Sequence, residues 1–279
     1  MKRFLALFLA LLLCGTTGSA FGENEYDLPL DIEFENYAPK EENFTETEYH
    51  DDSLDVVIEY INYDSIKCYV ARIKVKSPTQ LRTATAGLPN QDVIVLPSVM
   101  DEALNAVVTI NGDYYTHMAR DSYIYRQGVM YRDKPDYRRD SLLIDDKGDF
   151  HIFRCPTNVE EVPAFEGTVI NSFSFGPALI IDGETQPFRE DYFVGTPTEW
   201  EWRTFIGQDG PLSYVFVVMQ GCSVREAGRF AEYLGLQNAY TLDGGNSSVM
   251  LFHHKYVGDK NPDREREQSD IIYVVTAVP

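Results

Sequence analysis

The stretch Tyr240-Thr241-Leu242-Asp243-Gly244-Gly245-Asn246-Ser247-Ser248-Val249-Met250-Leu251-Phe252 sets a polar segment, Asp243 to Ser248, between two apolar runs. That pattern predicts a short turn joining two buried strands. Glycines at 244 and 245 let the backbone take positive φ and bring N–H groups close to a ligand, while Ser247 and Ser248 add hydroxyls beside the Asp243 carboxylate. An Asp-Gly turn between apolar runs is also the pattern of a tight hairpin, so these residues alone leave two readings, a structural turn and a site for a polar, anionic group. A second turn of the same kind favours the site. Asn111-Gly112-Asp113-Tyr114-Tyr115 ends the apolar run 106–110 and carries an amide, a carboxylate and two aromatic rings, with His117, Arg120 and Asp121 extending the polar cluster.

Working outward, Ser223-Val224-Arg225-Glu226 is a capping box, and Val224, Ala227, Phe230, Ala231 and Leu234 form one apolar helix face that Gly235 ends. This helix leads directly into the strand that ends at Asp243. Strand-like runs fill most of the remainder: 56–61, 67–75, 128–131, 141–144, 150–153, 169–175, 177–181, 200–207, 212–219 and 271–278, with Asp145-Asp146-Lys147-Gly148 as a plain hairpin turn. Ser98, with Asp101 three residues on, predicts a second capped helix. His253 and His254 point to opposite faces of a strand and make a poor metal pair. The expectation is one α+β domain over 55–279, with a large mixed or mainly antiparallel sheet and few helices.

Met1-Lys2-Arg3, an apolar run over 4–13 and the small residues Gly18-Ser19-Ala20 have the pattern of a signal peptide over 1–20, cleaved near Ala20. The apolar run is too short for a stable membrane anchor, so the expected product is secreted or held in the cell envelope. Loss of Lys2 and Arg3 takes the formal charge from −20 to −22, which argues against a nucleic-acid partner held through its phosphates. Residues 22–55 contain thirteen acids and one Lys, so 21–54 reads as an acidic extension, with folded structure beginning near Leu54 and an accessory hairpin over 43–49 as the alternative. The mixed-charge segment 132–140, with Arg138 and Arg139, reads as a solvated loop. Cys68, Cys155 and Cys222 lack the spacing of a zinc site and are expected as buried thiols.

No Gly-x-Ser-x-Gly elbow, Walker loop, His-Glu-x-x-His or dinucleotide fingerprint is present. The strand ends instead offer carboxylate, amide, guanidinium, hydroxyl and glycine backbone. That inventory suits glycosyl or phosphate-ester chemistry better than acyl transfer, which needs a nucleophile beside a base. Arg203 lies on the strand face opposite Trp200 and Trp202, and its planar guanidinium can grip a phosphate with two parallel hydrogen bonds.

Taken in order, Asn111-Gly112-Asp113-Tyr114-Tyr115, Arg203-Thr204-Phe205-Ile206-Gly207 and Asp243-Gly244-Gly245-Asn246-Ser247-Ser248 resemble the phosphodiester glycosidase family, over roughly 56–278. The resemblance implies an exported hydrolase that cuts between a sugar's anomeric carbon and an esterified phosphate, with cell-surface glycopolymers as a substrate class. On this reading Asp243 acts at the anomeric centre as nucleophile or as base for water. Arg203 neutralises the departing phosphate with Gly244, Gly245 and Ser247. Asn111 orients a sugar hydroxyl or the phosphate, and Gly112, Asp113 and Ser248 complete the substrate pocket. Relatives commonly carry glycine where Asp113 and Asn246 stand, and an acid where Gln220 precedes Gly221. No metal or cofactor is needed; a divalent cation such as calcium enters only in a rival reading, a metal phosphoesterase using Asp113 and Asp243. A second rival is an exported glycan-binding or envelope-assembly protein that does no chemistry.

Overall fold

Two ten-residue strands, Glu201–Gly210 and Ser213–Cys222, are buried along most of their length on both faces; the second reads as an apolar run for that reason, whereas the first also buries Arg203, Thr204 and Gln208. They lie at the centre of an eight-stranded antiparallel sheet in the computed structural model, which describes residues 37–89, 91–116, 122–134, 138–155, 167–188 and 199–279. Its spatial order is Glu48–His50, Leu54–Tyr63, Ile66–Val75, Ser213–Cys222, Glu201–Gly210, Asn238–Thr241, Ala178–Ile181, Glu184–Thr185. A five-stranded antiparallel sheet runs Lys255–Tyr256, Met250–Phe252, Val108–Asn111, Asp270–Val274, Leu81–Thr85. Sheets of three and two strands complete the described residues.

The two large sheets face each other. Val56, Ile73, Ile206 and Phe216 of one share a core with Val108, Ile110, Met250 and Ile272 of the other. The outer face of the eight-stranded sheet, with Val70, Phe205 and Val217, is covered by Val224, Ala227, Phe230 and Ala231 of the Val224–Tyr233 helix. On the outer face of the five-stranded sheet, Met100 of the Pro97–Glu102 helix packs with Ile271 and Tyr273. The layers therefore run helix, sheet, sheet, helix. Phe230 is fully buried, and such a side chain contributes about 1.5–3 kcal/mol through loss of apolar surface. Its helix starts on the capping box: Glu226 N–H donates to the Ser223 hydroxyl at 3.3 Å and Ser223 N–H to the Glu226 carboxylate at 2.7 Å. Gly235, at φ +74°, ends it.

Three expectations are corrected. Ordered structure begins before Leu54, in keeping with the hairpin alternative over 43–49: Phe44 bridges Tyr49, Glu48–His50 pairs with Leu54–Tyr63, and Tyr49 is buried in the central core. Glu48 and His50 flank it on the solvent side, so alternation within an acidic segment hides one strong anchor. The Pro97–Glu102 helix is not capped by Ser98; Leu96 is its N-cap, and the Ser98 hydroxyl donates to Glu265 at 2.6 Å instead. Arg139 and Asp140 are buried rather than solvated, Asp140 accepting the Cys155 N–H at 2.7 Å and the Ala178 N–H at 2.9 Å. Cys68, Cys155 and Cys222 are all buried, as expected. The signal peptide, the extension up to residue 36, and His117, Arg120 and Asp121 lie outside the described residues. Among the described residues no helix is long and apolar enough to cross a membrane.

Candidate active site

The turn over 243–248 is not a hairpin. Its incoming strand, Asn238–Thr241, belongs to the eight-stranded sheet and its outgoing strand, Met250–Phe252, to the five-stranded one, so the chain changes layer there. The second turn leaves Val108–Asn111 beside it, and Asp243 N–H donates to the Gly112 carbonyl at 3.2 Å. Arg203 arrives from the adjacent strand, where Phe205 pairs with Thr241 and Leu242 N–H donates to the Thr204 carbonyl at 2.9 Å. Three segments far apart in sequence thus meet at one edge between the sheets.

Asn111 joins them. Its amide nitrogen donates to the Asp243 carbonyl at 2.8 Å and to the Gly112 carbonyl at 3.2 Å, while its oxygen accepts from the Thr204 hydroxyl at 2.9 Å and the Val249 N–H at 3.1 Å. Both donors and both lone pairs of this fully buried amide are used. Asn111 therefore positions the turn and has no hydrogen bond left for a sugar or phosphate, which corrects the role expected of it.

Asp243 is in the opposite situation. Its Oδ1 accepts the Gly244 N–H at 2.9 Å, but Oδ2 has no hydrogen-bond partner among the described residues, and its nearest cation is Arg266 Nη2 at 3.7 Å. The hydroxyls of Ser247 and Ser248 are also buried and make no hydrogen bond of good geometry among the described residues, although that of Ser247 lies close enough to Asp243 to act on its carboxyl. Native interiors rarely leave such atoms unpaired, and a cluster of them marks a place where a ligand or water completes the set. Burial pushes the Asp243 carboxyl up to about 6, against the pull of Ser247, Arg266 and the Gly244 N–H; the charge of Asp113 adds to the rise.

Arg203 is almost completely buried. Its Nε donates to the Cys222 carbonyl at 3.3 Å and Nη2 to the Glu199 carbonyl at 2.8 Å, and no carboxylate pairs with it among the described residues. Nη1 lies 3.9 Å from where a Cβ on Gly244 would sit. That Cβ would also come within 2.8 Å of the Trp202 carbonyl, so glycine is what lets the turn approach the strand. The Gly244 N–H is spent on Asp243, whereas the Gly245 N–H has no acceptor among the described residues.

Asp113 and Gly112 are placed for support rather than for substrate contact. Arg126 Nη2 bonds Asp113 at 3.1 Å and Asp270 at 3.0 Å, and all three side chains are buried. The second Asp113 oxygen accepts the Ser174 N–H at 2.9 Å. The Asp113 carboxylate is thus paired with a guanidinium that it shares with Asp270, and both its oxygens are engaged by protein donors. Among the described residues no three His, Cys, Asp or Glu side chains gather to hold a metal ion. Asp270 also accepts the Tyr114 N–H at 2.9 Å, holding Tyr114 at φ +53°, a costly backbone for a bulky residue. A Cβ on Gly112 would overlap the Asp270 carboxylate. Burial and the neighbouring Asp113 push Asp270 up, and Arg126 opposes them.

Sequence reasoning did not single out Arg126, Asp270, Arg266 or Gln268. The signal for the first two was a charge at the end of an otherwise apolar strand, as in Ile124–Arg126 and Asp270–Val274. Arg266 lies 4.7 Å from the centre of the Tyr114 ring and reaches Asp243 from a segment with no periodicity. Gln268 donates to the Ser247 carbonyl at 2.9 Å, and its own oxygen has no hydrogen-bond partner among the described residues.

A sequence model of the phosphodiester glycosidase family matches residues 104–275, which include all three segments. The fold is similar to that of the catalytic domain of zebrafish N-acetylglucosamine-1-phosphodiester alpha-N-acetylglucosaminidase, auto-inhibited by its pro-peptide, with a TM-score of 0.64 at 15% identity over 81% of this chain and 85% of that one. A protein from Synechocystis gives a TM-score of 0.62 at 14% identity over 80% of this chain and 62% of that one. No curated protein matches the sequence.

Proposed function

Because the chain belongs to the phosphodiester glycosidase family, we propose that it hydrolyses the bond between a sugar's anomeric carbon and the phosphate of a phosphodiester. The observation that carries this reading is the unpartnered Asp243 Oδ2, held in a buried site with two cations and two serine hydroxyls around the same turn. The anomeric carbon meets Asp243, which stabilises the developing oxocarbenium charge and acts as nucleophile or as base for water. The C1–O bond breaks with its electron pair going to the phosphate, and water supplies the hydroxyl at C1.

A single free carboxylate suffices for this substrate. Ordinary glycosidases need a second carboxyl to protonate an alkoxide, whereas a phosphate monoester departs as a stable anion. Arg203 and the Gly245 N–H offer positive charge and a donor where that anion develops, an electrostatic contribution commonly worth 10²–10³ in rate per donor. The leader-like pattern over 1–20 supports an exported enzyme, and cell-surface glycopolymers are a substrate class consistent with that location.

The test is turnover of a defined sugar 1-phosphodiester by the purified protein, starting with the N-acetylglucosamine phosphodiester named for the zebrafish relative. Wild type should release sugar, and Asp243→Asn and Arg203→Ala should each lose at least a hundredfold in kcat/KM. Full activity in both variants would overturn the residue assignment. Binding without turnover, across a panel of sugar phosphodiesters, would leave a glycan-binding protein.

A further inference from the structure

Tyr114 follows Asp113 in the second polar turn with its backbone at φ +53°, the left-handed region that a bulky side chain avoids and that glycine would take freely. The chain keeps a tyrosine there and holds the bend from outside. Asp270 Oδ1 accepts the Tyr114 N–H at 2.9 Å, its Oδ2 accepts the Asp113 N–H at 3.3 Å, and Arg126 fixes Asp270 in turn at 3.0 Å. A strained backbone that several neighbours hold in place, next to a reactive group, points to a task for the side chain it carries. That side chain leads to Arg266, whose guanidinium carbon lies 4.7 Å from the centre of the Tyr114 ring and whose Nη2 lies 3.7 Å from the unpartnered Asp243 Oδ2. Arg266 sits on no helix or strand, and its side chain is 39% exposed. A long, half-wet side chain on irregular backbone has many rotamers open to it, and one ion pair of this length does not select among them. A fixed ring face does, and the Tyr114 ring is buried.

We propose that Tyr114 is a positioning residue: its ring holds the Arg266 guanidinium over the free oxygen of Asp243, so that this buried carboxyl gives up its proton more readily. The groups that face Asp243 come from four segments. Its own turn supplies the Gly244 N–H and the Ser247 hydroxyl, the segment before Asp270–Val274 supplies Arg266, the turn after Val108–Asn111 supplies Asp113, and Arg203 of Glu201–Gly210 lies across Gly244. Burial raises the Asp243 carboxyl most; of the charges, Arg266 lowers it and Asp113 raises it. Asp113 is fixed by Arg126, whereas Arg266 is fixed by Tyr114, so the ring decides how much of the favourable charge reaches Asp243. The consequence for turnover rests on the hydrolytic reading above, but the ionisation of Asp243 does not.

Thermal unfolding from pH 4 to pH 9 reads that ionisation without substrate, as the part of the pH dependence that Asp243→Asn removes. Tyr114→Leu should move the midpoint of this part upward by roughly half to one pH unit, the scale of a charge pair at such a distance in wet surroundings. Arg266→Met should move it as far, and the double variant no further than either alone. Tyr114→Phe, which keeps the ring, should stay at the wild-type midpoint. Tyr114→Gly, which accepts the backbone freely, supplies a second ringless protein should Tyr114→Leu fail to fold. An unmoved midpoint in the ringless protein, additive shifts in the double variant, or a Tyr114→Phe midpoint that follows Tyr114→Leu would each overturn the positioning role. The acid limb of kcat/KM should move with the midpoint. Shifted midpoints in a protein that turns over no sugar phosphodiester leave the positioning role standing and remove the hydrolytic reading. Turnover with unmoved midpoints does the reverse.

Discussion

The side-chain amide of Asn111 donates to the main-chain carbonyl of Asp243 at 2.8 Å while its oxygen accepts the Val249 N–H at 3.1 Å, so one buried residue of the five-stranded sheet holds both ends of the reactive turn. Replacing it with alanine strands the Thr204 hydroxyl, the Val249 N–H and the Asp243 carbonyl in the interior. Each unsatisfied group costs about 1–3 kcal/mol, so Asn111→Ala should lose roughly 3 kcal/mol or more in urea unfolding. Its kcat should fall further than its KM rises, because the turn that carries Asp243 is loosened while Arg203 stays in place. A KM effect alone would mean that Asn111 contacts substrate.

If Asp243 acts as proposed, it should set the acid limb of the pH profile. With its carboxyl raised to about 6 by burial, kcat/KM should fall as pH drops through that value, since the ionised form is the one that acts. The stability effect has the opposite sign. A carboxyl whose folded value lies above its unfolded one binds its proton more tightly when folded, so the contribution of Asp243 to stability is greatest below about 4 and declines as pH rises through 6. Asp243→Asn removes that decline and should be more stable than wild type at pH 8 by up to roughly 3 kcal/mol, while inactive. Thermal unfolding at pH 4 and pH 8 measures the difference.

Arg266, 3.7 Å from the free oxygen of Asp243, pulls that carboxyl downward. Arg266→Met should therefore move the acid limb to higher pH, and Arg266→Lys should leave it near the wild-type position. Arg266 is partly exposed, so the change in stability should stay within about 1 kcal/mol. A profile unmoved by Arg266→Met would show that this guanidinium faces substrate rather than Asp243.

Arg126 joins Asp113 to Asp270 in the interior, and its removal leaves two buried acids without a cation. Arg126→Met should cost about 3–5 kcal/mol at pH 8. The loss should shrink as pH falls, because Asp270, already raised by burial and by Asp113, can then be protonated. Urea unfolding across pH 5–8 tests the slope. A pH-independent loss would point to packing over Tyr115 and Phe173 instead.

Local chemistry was legible in the sequence and partnership was not. The Ser223 to Gly235 helix could be read because its cap, apolar face and terminating glycine lie within a few residues of one another. Both polar turns could be read because apolar runs flank them. Asn111, however, bonds a carbonyl 132 positions away, and nothing near Asn111 announces that. The turn over 243–248 looked like a hairpin candidate because sequence does not state that its two strands enter different sheets. Tyr49 was hidden by its acidic neighbours, and the Asp113–Arg126–Asp270 triad by the distance between its members.

The Asp270–Val274 strand lies between Val108–Asn111 and Leu81–Thr85, and its first residue braces the bend at Tyr114. The bend at Tyr114 therefore depends on a strand 156 positions further along the sequence taking its place in the middle of the layer. Contacts of such long separation close slowly, so formation of the site is tied to completion of this sheet rather than to local structure. Activity, once measured, doubles as a reporter of a correctly closed sheet.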